Sequence, residues 1–560
     1  MRKALLIFFT FFIAVQAFCQ TEFQVQNLAT FCKVWGFLKY YHPYPSKKNV
    51  DWDTVLTNNY PKIKAAQSKA EFNLVMQSIT RKMGVLKPNK HPFVPVDSLA
   101  KNADFNWLYD TVILSSQVAN YLQEVKKNHK PFKNKYGETL EGMNPHVYEN
   151  PDTAMHYPDE SYRFLALARY WNVINYYAPD KYLMDTNWAV SLKEAIPLFA
   201  KASNEAEYYE AIQWICARTN DGHPFAAPMY TKQKPYFYFM KGLPVSLFLV
   251  GDTPVITRLL NDSICDLLDV KVGDKIIAID GERIEKRWQY VKAHNAASNE
   301  GAIEALGAVL MMYDFKPAVS VTILRDGVSF EKRLKFYSIL GRIKWKSDLS
   351  NYYTHKALEI NSDSLSGKKY AYLNMSVLEQ SKVDSVFKAL NGIDYLIVNL
   401  RYAPEWVIYD VANYLLPTAK DFAWITEPNY DYPGYFKYLE KLRGGPSHIN
   451  KDYYKGKVII LINHFTLSRG EYATMLLKLA PTATLIGTQT AGADGSATTV
   501  ALPGNYRAMF SGQGIFYPNG AQTQRVGIMP DIKVDNTLQS ELMGTDPFMQ
   551  RALELIRTGK

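Results

Sequence analysis

The stretch KVIILINHFTLSRGEYATMLLKLA, residues 457–480, carries the most information about the fold. Val458 to Ile462 is an unbroken run of branched apolar residues, the pattern of a strand buried on both faces. Ser468-Arg469-Gly470-Glu471 then opens a helix whose Tyr472, Met475, Leu476 and Leu479 share one face. Strand, tight turn and helix in this order make a βα unit of a parallel sheet. Functional groups of such sheets gather at the carboxyl ends of strands and the amino ends of helices, which is where Ser468 stands. The placement is analogous to a nucleophile elbow, although the Gly-x-Ser-x-Gly pattern is absent. Free N–H groups at the helix start could receive an oxyanion. Ser468 and Glu471 also satisfy the formula of a capping box, so the local sequence leaves a catalytic serine and a plain helix cap both open.

Outward from this unit the alternation continues. Tyr370–Asn374, Tyr395–Leu400 and Thr484–Gly487 read as strands, and Gln380–Leu390 and Val407–Leu416 as helices. Residues 236–340 change character. Short β-rich runs appear at Leu243–Val250, Thr253–Thr257, Lys275–Ile279 and Ala318–Leu324. The segment Gly273-Asp274-Lys275-Ile276-Ile277-Ala278-Ile279-Asp280-Gly281 reads as turn, buried strand, turn. This segment resembles the core of a PDZ domain, a module that binds extended peptides at a sheet edge.

Towards the N-terminus the chain repeats itself. Trp35 to Pro43 lines up with Trp171 to Pro179 at an offset of 136, and the same offset carries Trp52 onto Trp188, Phe72 onto Tyr208 and Ile79 onto Ile215. Val34, Phe37, Leu38 and Tyr41 fall at helical spacing, and Pro43 and Pro179 end the first helix of each copy. The second copy, residues 167–220, runs into Asp221-Gly222-His223, whereas the first, residues 31–84, runs into Val85-Leu86-Lys87. A scaffold needs only the shared positions, so His223 is a candidate functional residue; a turn histidine held by the Gly222 bend fits equally well.

The bulk numbers bound these readings. The 560 residues exceed one compact core, and 47% hydrophobic, 21% charged and 14% aromatic is a globular composition. Arg2 and Lys3 followed by apolar Ala4–Phe18 form a signal-peptide pattern, with cleavage expected after Cys19. Export to the periplasm or beyond is expected, and lipid anchoring through Cys19 is disfavoured by the bulk of Phe18. No later stretch is long and apolar enough to span a membrane. Cys32, Cys216 and Cys265 are widely spaced and odd in number, the pattern of buried thiols. The net charge of +10 comes from interspersed residues. Its one run, Lys126, Lys127, Lys130, Lys133 and Lys135, reads as a solvated loop, so nucleic-acid binding is not expected. No metal-ligand spacing occurs among the histidines, and no metal or other cofactor is expected.

Taken in order, these pieces resemble the tail-specific, or C-terminal-processing, serine proteases, in particular their tricorn-like branch. The resemblance rests on Asp221-Gly222-His223, the PDZ-like core, Leu396-Ile397-Val398-Asn399-Leu400-Arg401, Thr466 to Glu471, Ile486-Gly487-Thr488-Gln489-Thr490-Ala491-Gly492 and Gly527-Ile528-Met529-Pro530-Asp531, together spanning about residues 210–535. It implies a multidomain α/β protein: a signal peptide at 1–19, a helical repeat region at 20–150 and 151–235, a PDZ-like module at 236–340 and a crotonase-like α/β catalytic domain at 341–560. It implies an endopeptidase acting on polypeptide, with Ser468 as nucleophile. Oxyanion donors are implied at the backbone N–H of Arg469 and in the loop after Arg401, at Tyr402 and Ala403. Where one branch carries a lysine base, this chain has Gly492-Ala493-Asp494-Gly495, so the resemblance assigns the base to His223. The Gly-Gly pair usual after Arg401 is here Tyr402-Ala403-Pro404-Glu405, and Pro404 has no N–H. The glutamate that supports the histidine in that branch is replaced by Gln522 or Gln524 as histidine-orienting candidates. A non-catalytic scaffold binding peptides or apolar ligands, and a local Ser468–His464 pair, are the rival readings.

Overall fold

The structure is a computed structural model that describes residues 2–95, 101–139, 145–150, 152, 155, 157–228, 241–311, 313–314, 318–338 and 356–559. Side chains of the N-terminal segment are described from Glu22 onward, so the signal-peptide reading lies outside the described side chains. Among the described residues no helix is long and apolar enough to cross a membrane.

The helical region contains two copies of a three-helix unit. The first comprises α1 (Arg2–Tyr41), α2 (Trp52–Ala65) and α3 (Lys69–Met83). After α4 (Ser116–Asn128), the second comprises α5 (Glu160–Tyr177), α6 (Trp188–Lys201) and α7 (Glu205–Ala217). The offset seen in the sequence holds for the caps. Asp51 and Asn187 cap the second helices, Ser68 and Asn204 the third, and Pro61 and Pro197 sit inside the second helices. In each copy two tryptophans lock the helices reciprocally. Trp35 donates its indole N–H to Trp52 O at 2.9 Å and Trp52 returns one to Trp35 O at 3.1 Å. Trp171 and Trp188 do the same at 2.8 and 3.0 Å. Buried indoles need a partner for their N–H, and this pairing supplies one to each. The two copies share one core. Lys126 and Lys127 lie in the last turn of α4 rather than in a loop. Lys126 is half-buried with its ammonium 4.3 Å from the Phe105 ring centroid, because an amphipathic helix carries that side chain back over its own core.

The middle region is an antiparallel sheet with its own core. Its main strand order is Val328–Lys335, Ala318–Arg325, Lys275–Ile279, Thr253–Leu259, Val245–Val250. Helices Asp262–Leu268, Ile284–His294 and Glu300–Leu310 accompany it, and Ile256, Ile276, Trp288, Val321 and Ile323 fill the core.

The C-terminal region is built on a six-stranded sheet ordered Leu358–Ser362, Lys369–Asn374, Tyr395–Asn399, Lys457–Ile462, Ala483–Gly487, Ile532–Lys533. Its first pair is antiparallel and the rest parallel. The continuous apolar runs are explained by burial on both faces. Val458, Ile460 and Ile462 meet one core with Leu476 and Leu477, while Ile459 and Leu461 meet Phe548, Leu555 and Ile556 of the Pro547–Thr558 helix on the other. A hairpin, Lys420–Pro428 with Phe436–Gly444, stands beside this sheet. A further three-stranded sheet joins Ala497–Leu502 and Tyr506–Ser511 to Ala226–Pro228, a strand that follows the second helical copy. Cys32, Cys216 and Cys265 are free and buried.

Candidate active site

Ser468 lies in the turn between the Lys457–Ile462 strand and the Arg469–Leu477 helix. Its backbone is at φ 55°, ψ −119°. An ordinary N-cap is extended, whereas a non-glycine residue at positive φ costs about 1–3 kcal/mol and persists only where its surroundings enforce it. The enforcement is visible. Ser468 N–H donates to Ala493 O at 2.9 Å and towards Glu471 Oε2 at 3.3 Å. Glu471 is 1% exposed. Its carboxylate accepts from Gly492 N–H and Ala493 N–H, both at 2.8 Å, and from the Thr490 hydroxyl. Glu471 therefore ties the loop 490–493 to the serine turn instead of serving only as a cap partner. Burial pushes its carboxyl up, and these hydrogen bonds oppose the shift without cancelling it. Asp494, in the segment where a lysine base would stand, is pushed well up by burial and then by the neighbouring Glu471 charge. It accepts from the Thr523 hydroxyl at 3.0 Å.

His223 reaches this turn from the helical region. After α7 the chain turns through Asn220, at φ 50°, into Asp221-Gly222-His223, and Ala226–Pro228 then pairs with Tyr506–Ser511. Met509 N–H donates to Phe225 O at 3.1 Å in continuation of that pairing. Gly222 lies against the serine turn: a Cβ built on it would stand 3.1 Å from Ala493 Cβ and 3.2 Å from Leu467 Cδ1. His223 is 8% exposed. Its Nδ1 is 2.9 Å from Ser511 Oγ and 3.5 Å from Asp221 Oδ1. Its Nε2 is buried without a hydrogen-bond partner. Asp221 accepts from its own turn at His223 N–H, 3.2 Å, from Ser511 N–H, 3.1 Å, and from Gln524 Nε2, 3.2 Å. Burial would raise its carboxyl, but the hydrogen bonds and charge of His223 outweigh that and hold it below the ordinary range.

The other residues singled out in the sequence fall as follows. Gln524 touches Asp221, so it meets the histidine through that carboxylate. Gln522 is engaged elsewhere, accepting from Tyr182 OH and donating to Asp180 Oδ1 at 3.4 Å. Arg401 is buried, donating to Asn399 Oδ1 at 2.8 Å and to Asp546 at 3.0 and 2.8 Å. The loop it opens is pinned to the serine turn by the Thr466 hydroxyl on Leu400 O at 2.9 Å, and Pro404 Cδ is 3.9 Å from a Cβ built on Gly470. Tyr402 and Ala403 thus lie in a loop beside the turn, and Arg469 N–H is one of the orphan donors of the helix start. His464 lies two residues beyond the end of the Lys457–Ile462 strand and packs on the middle region, its Cε1 2.2 Å from a Cβ built on Gly301. The sequence reading gave no role to Asp221, Ser511 or Glu471 as a loop tie. The Asp-x-His spacing, which lets a carboxylate accept from its own turn, was the one local signal.

The family model for Peptidase family S41 matches residues 369–534, which include Ser468. Similar solved structures include mature CPAF, at 13% identity and TM-score 0.55 over 71% of this chain and 97% of that one. Mature CPAF complexed with lactacystin aligns at 12% identity and TM-score 0.54 over 71% and 98%. The photosystem II D1 C-terminal processing protease aligns at 14% and 0.37 over 66% and 92%. At such identities the CPAF likeness is one of fold. No curated protein matches the chain. The chain carries a peptidase domain of the tail-specific S41 family. It is a serine-type peptidase.

Proposed function

We propose that the protein is an exported endopeptidase that cleaves polypeptides through an acyl-enzyme on Ser468, with His223 as general base. The observation that supports this reading is a strained, partly exposed serine whose turn lies against Gly222, with the next residue, His223, held on its Nδ1 side and unpartnered at Nε2. With Nδ1 protonated and donating to Ser511 Oγ, Nε2 carries the lone pair that removes the Ser468 proton. Ser468 Oγ attacks the scissile carbonyl. The oxyanion is received by Arg469 N–H and by an N–H of the Tyr402–Ala403 loop. His223 then protonates the leaving amine, and water attacks the ester by the reverse route. Asp221 orients the imidazole and stabilises its charged form, which is the task the resemblance gave to Gln522 or Gln524.

The middle module is read as PDZ-like and the parallel-sheet domain as crotonase-like. Ser298 and Asn299 of the middle module support a link to the site. Gly222 N–H donates to Ser298 Oγ at 2.7 Å, and Asn299 Nδ2 donates to Thr490 O and Ala491 O at 2.9 and 3.0 Å. Export rests on the charged start and apolar run of residues 1–19; N-terminal sequencing of secreted material should begin at Gln20. The catalytic reading is tested with an active-serine phosphonate and peptide mapping by mass spectrometry. An adduct on Ser468 that disappears in His223→Ala is expected. A folded protein that hydrolyses peptides equally well as Ser468→Ala would overturn the assignment.

A further inference from the structure

The two helical copies meet in a pseudo-two-fold manner about one axis, Tyr40 packing on Tyr177 and Tyr41 on Tyr176, the repeat mates exchanged. Gly36 and its repeat mate Asn172 face each other across it, a Cβ on Gly36 falling 1.8 Å from Asn172 Oδ1. Positions within the repeat therefore have counterparts at an offset of 136. One site combines Trp35, Lys39, Trp52 and Asp53 with Arg169. Adding or subtracting 136 gives its sister: Trp171, Asn175, Trp188 and Ala189 with Lys33.

The two sites differ in what occupies them. In the first, Glu149 enters from the connecting segment. Its side chain is 1% exposed, and its carboxylate lies 2.6 and 2.8 Å from Lys39 Nζ and 3.5 Å from Arg169 Nε. The Lys39 ammonium sits 4.6 Å from the Trp35 and 4.2 Å from the Tyr136 ring centroid. The sister site is a cavity of about 420 Å³ walled by Trp107, Trp171 and Trp188 and carrying Lys33, Lys101 and Lys181. Asp104 is the one acid in its lining, which leaves the lining at +2. Ala189 stands where Asp53 does. Among the described residues none of the three lysines forms an ion pair. Lys181 donates instead to Asn175 Oδ1 at 2.7 Å and Asn175 O at 3.2 Å. Burial lowers Lys33, and it lowers Lys181 to about 8. Unpaired cations in an aromatic-walled pocket of this size are the chemistry of a site for a small anion with an apolar body.

We propose that this cavity binds a carboxylate-bearing ligand, seated as Glu149 is seated in the first site, with its carboxylate on Lys33 and its carbon chain against the indole walls. The carboxylate comes from an acidic side chain or C-terminus of a peptide, or from a free organic acid.

The test follows tryptophan fluorescence and calorimetric heat while the full chain is titrated with acetyl-glutamate amide, trialanine, glutarate and, as the uncharged control, acetyl-glutamine amide. Saturable one-to-one binding of at least one acid, with no binding of the control, is expected. Preference for acetyl-glutamate amide or trialanine assigns a peptide carboxylate, and preference for glutarate a free acid. Lys33→Gln should weaken binding at least tenfold. Ala189→Asp installs the counterpart of Asp53 beside Lys33, competes for its charge, and should weaken binding at least tenfold while raising the melting temperature of the free protein. If Lys33→Gln does not fold, Lys101→Ala replaces it with a smaller expected loss. Absence of saturable binding by every acid, or binding unaltered in these variants, overturns the proposal. None of these readouts depends on peptidase activity.

Discussion

Replacing Asp221 with asparagine isolates the charge that backs the proposed base. The substitution keeps size and one acceptor, and removes the negative charge 3.5 Å from His223 Nδ1. At that distance the attraction between carboxylate and imidazolium is about 5 kcal/mol in an effective dielectric of about 20. Part of it is lost to the cost of keeping Asp221 buried, so about half that figure is expected in the transition state. At about 1.4 kcal/mol per decade this is a loss of roughly 100-fold in kcat. The amide also turns an N–H towards one of the donors that Asp221 accepts from, Ser511 N–H or Gln524 Nε2, which adds to the loss. The assay is steady-state cleavage of an internally quenched peptide, with KM and the rate of phosphonate labelling measured alongside. KM should hold, kcat and labelling should fall together, and Asp221→Glu should recover part of both. A folded Asp221→Asn protein with kcat within threefold of the parent would refute the assignment of Asp221 as the positioning carboxylate.

Three further outcomes follow from the same geometry. Ser468→Gly removes the penalty of φ 55° and should stabilise the protein by about 1 kcal/mol in denaturant titration while abolishing cleavage; a destabilised variant would contradict the strain. Gly36→Ala places a methyl against Asn172 at the pseudo-two-fold axis and should cost about 1–3 kcal/mol through overpacking, read as a lowered urea midpoint. Asp180 is pushed up to about 7, by burial first and then by the Asp221 charge. A raised carboxyl is stabilising while protonated, so its contribution is complete below about pH 4, the ordinary range for an aspartate, and is lost as pH rises through about 7. Asp180→Asn should therefore raise the melting temperature at pH 8 and leave it nearly unchanged at pH 4.

The strands of the parallel sheet were legible because burial on both faces writes them as unbroken apolar runs, as in Val458–Ile462 and Leu396–Val398. The repeat was legible because each copy needs the same tryptophans, caps and prolines to close the same helix pair. The Phe436–Gly444 strand of the hairpin mixes apolar and charged residues without strict alternation and is largely exposed, a weaker pattern, and it was not read. The pairing of Ala226–Pro228 with Tyr506–Ser511 joins segments with no local trace of each other, so Ser511 could not be picked out as the histidine's partner. Ser468 and Glu471 were seen, but their formula is also that of a cap. The backbone angle separates the two meanings, and sequence does not encode it directly.

The strand Ala226–Pro228 also makes the proposed site depend on a distant segment. It follows the histidine closely, yet its hydrogen-bonding partner is Tyr506–Ser511, far downstream in the chain. Without that segment the proposed base has neither its neighbouring strand nor Ser511. If the proposed site is correct, a chain that lacks Tyr506–Ser511 keeps the serine and the histidine but loses the setting that holds the histidine.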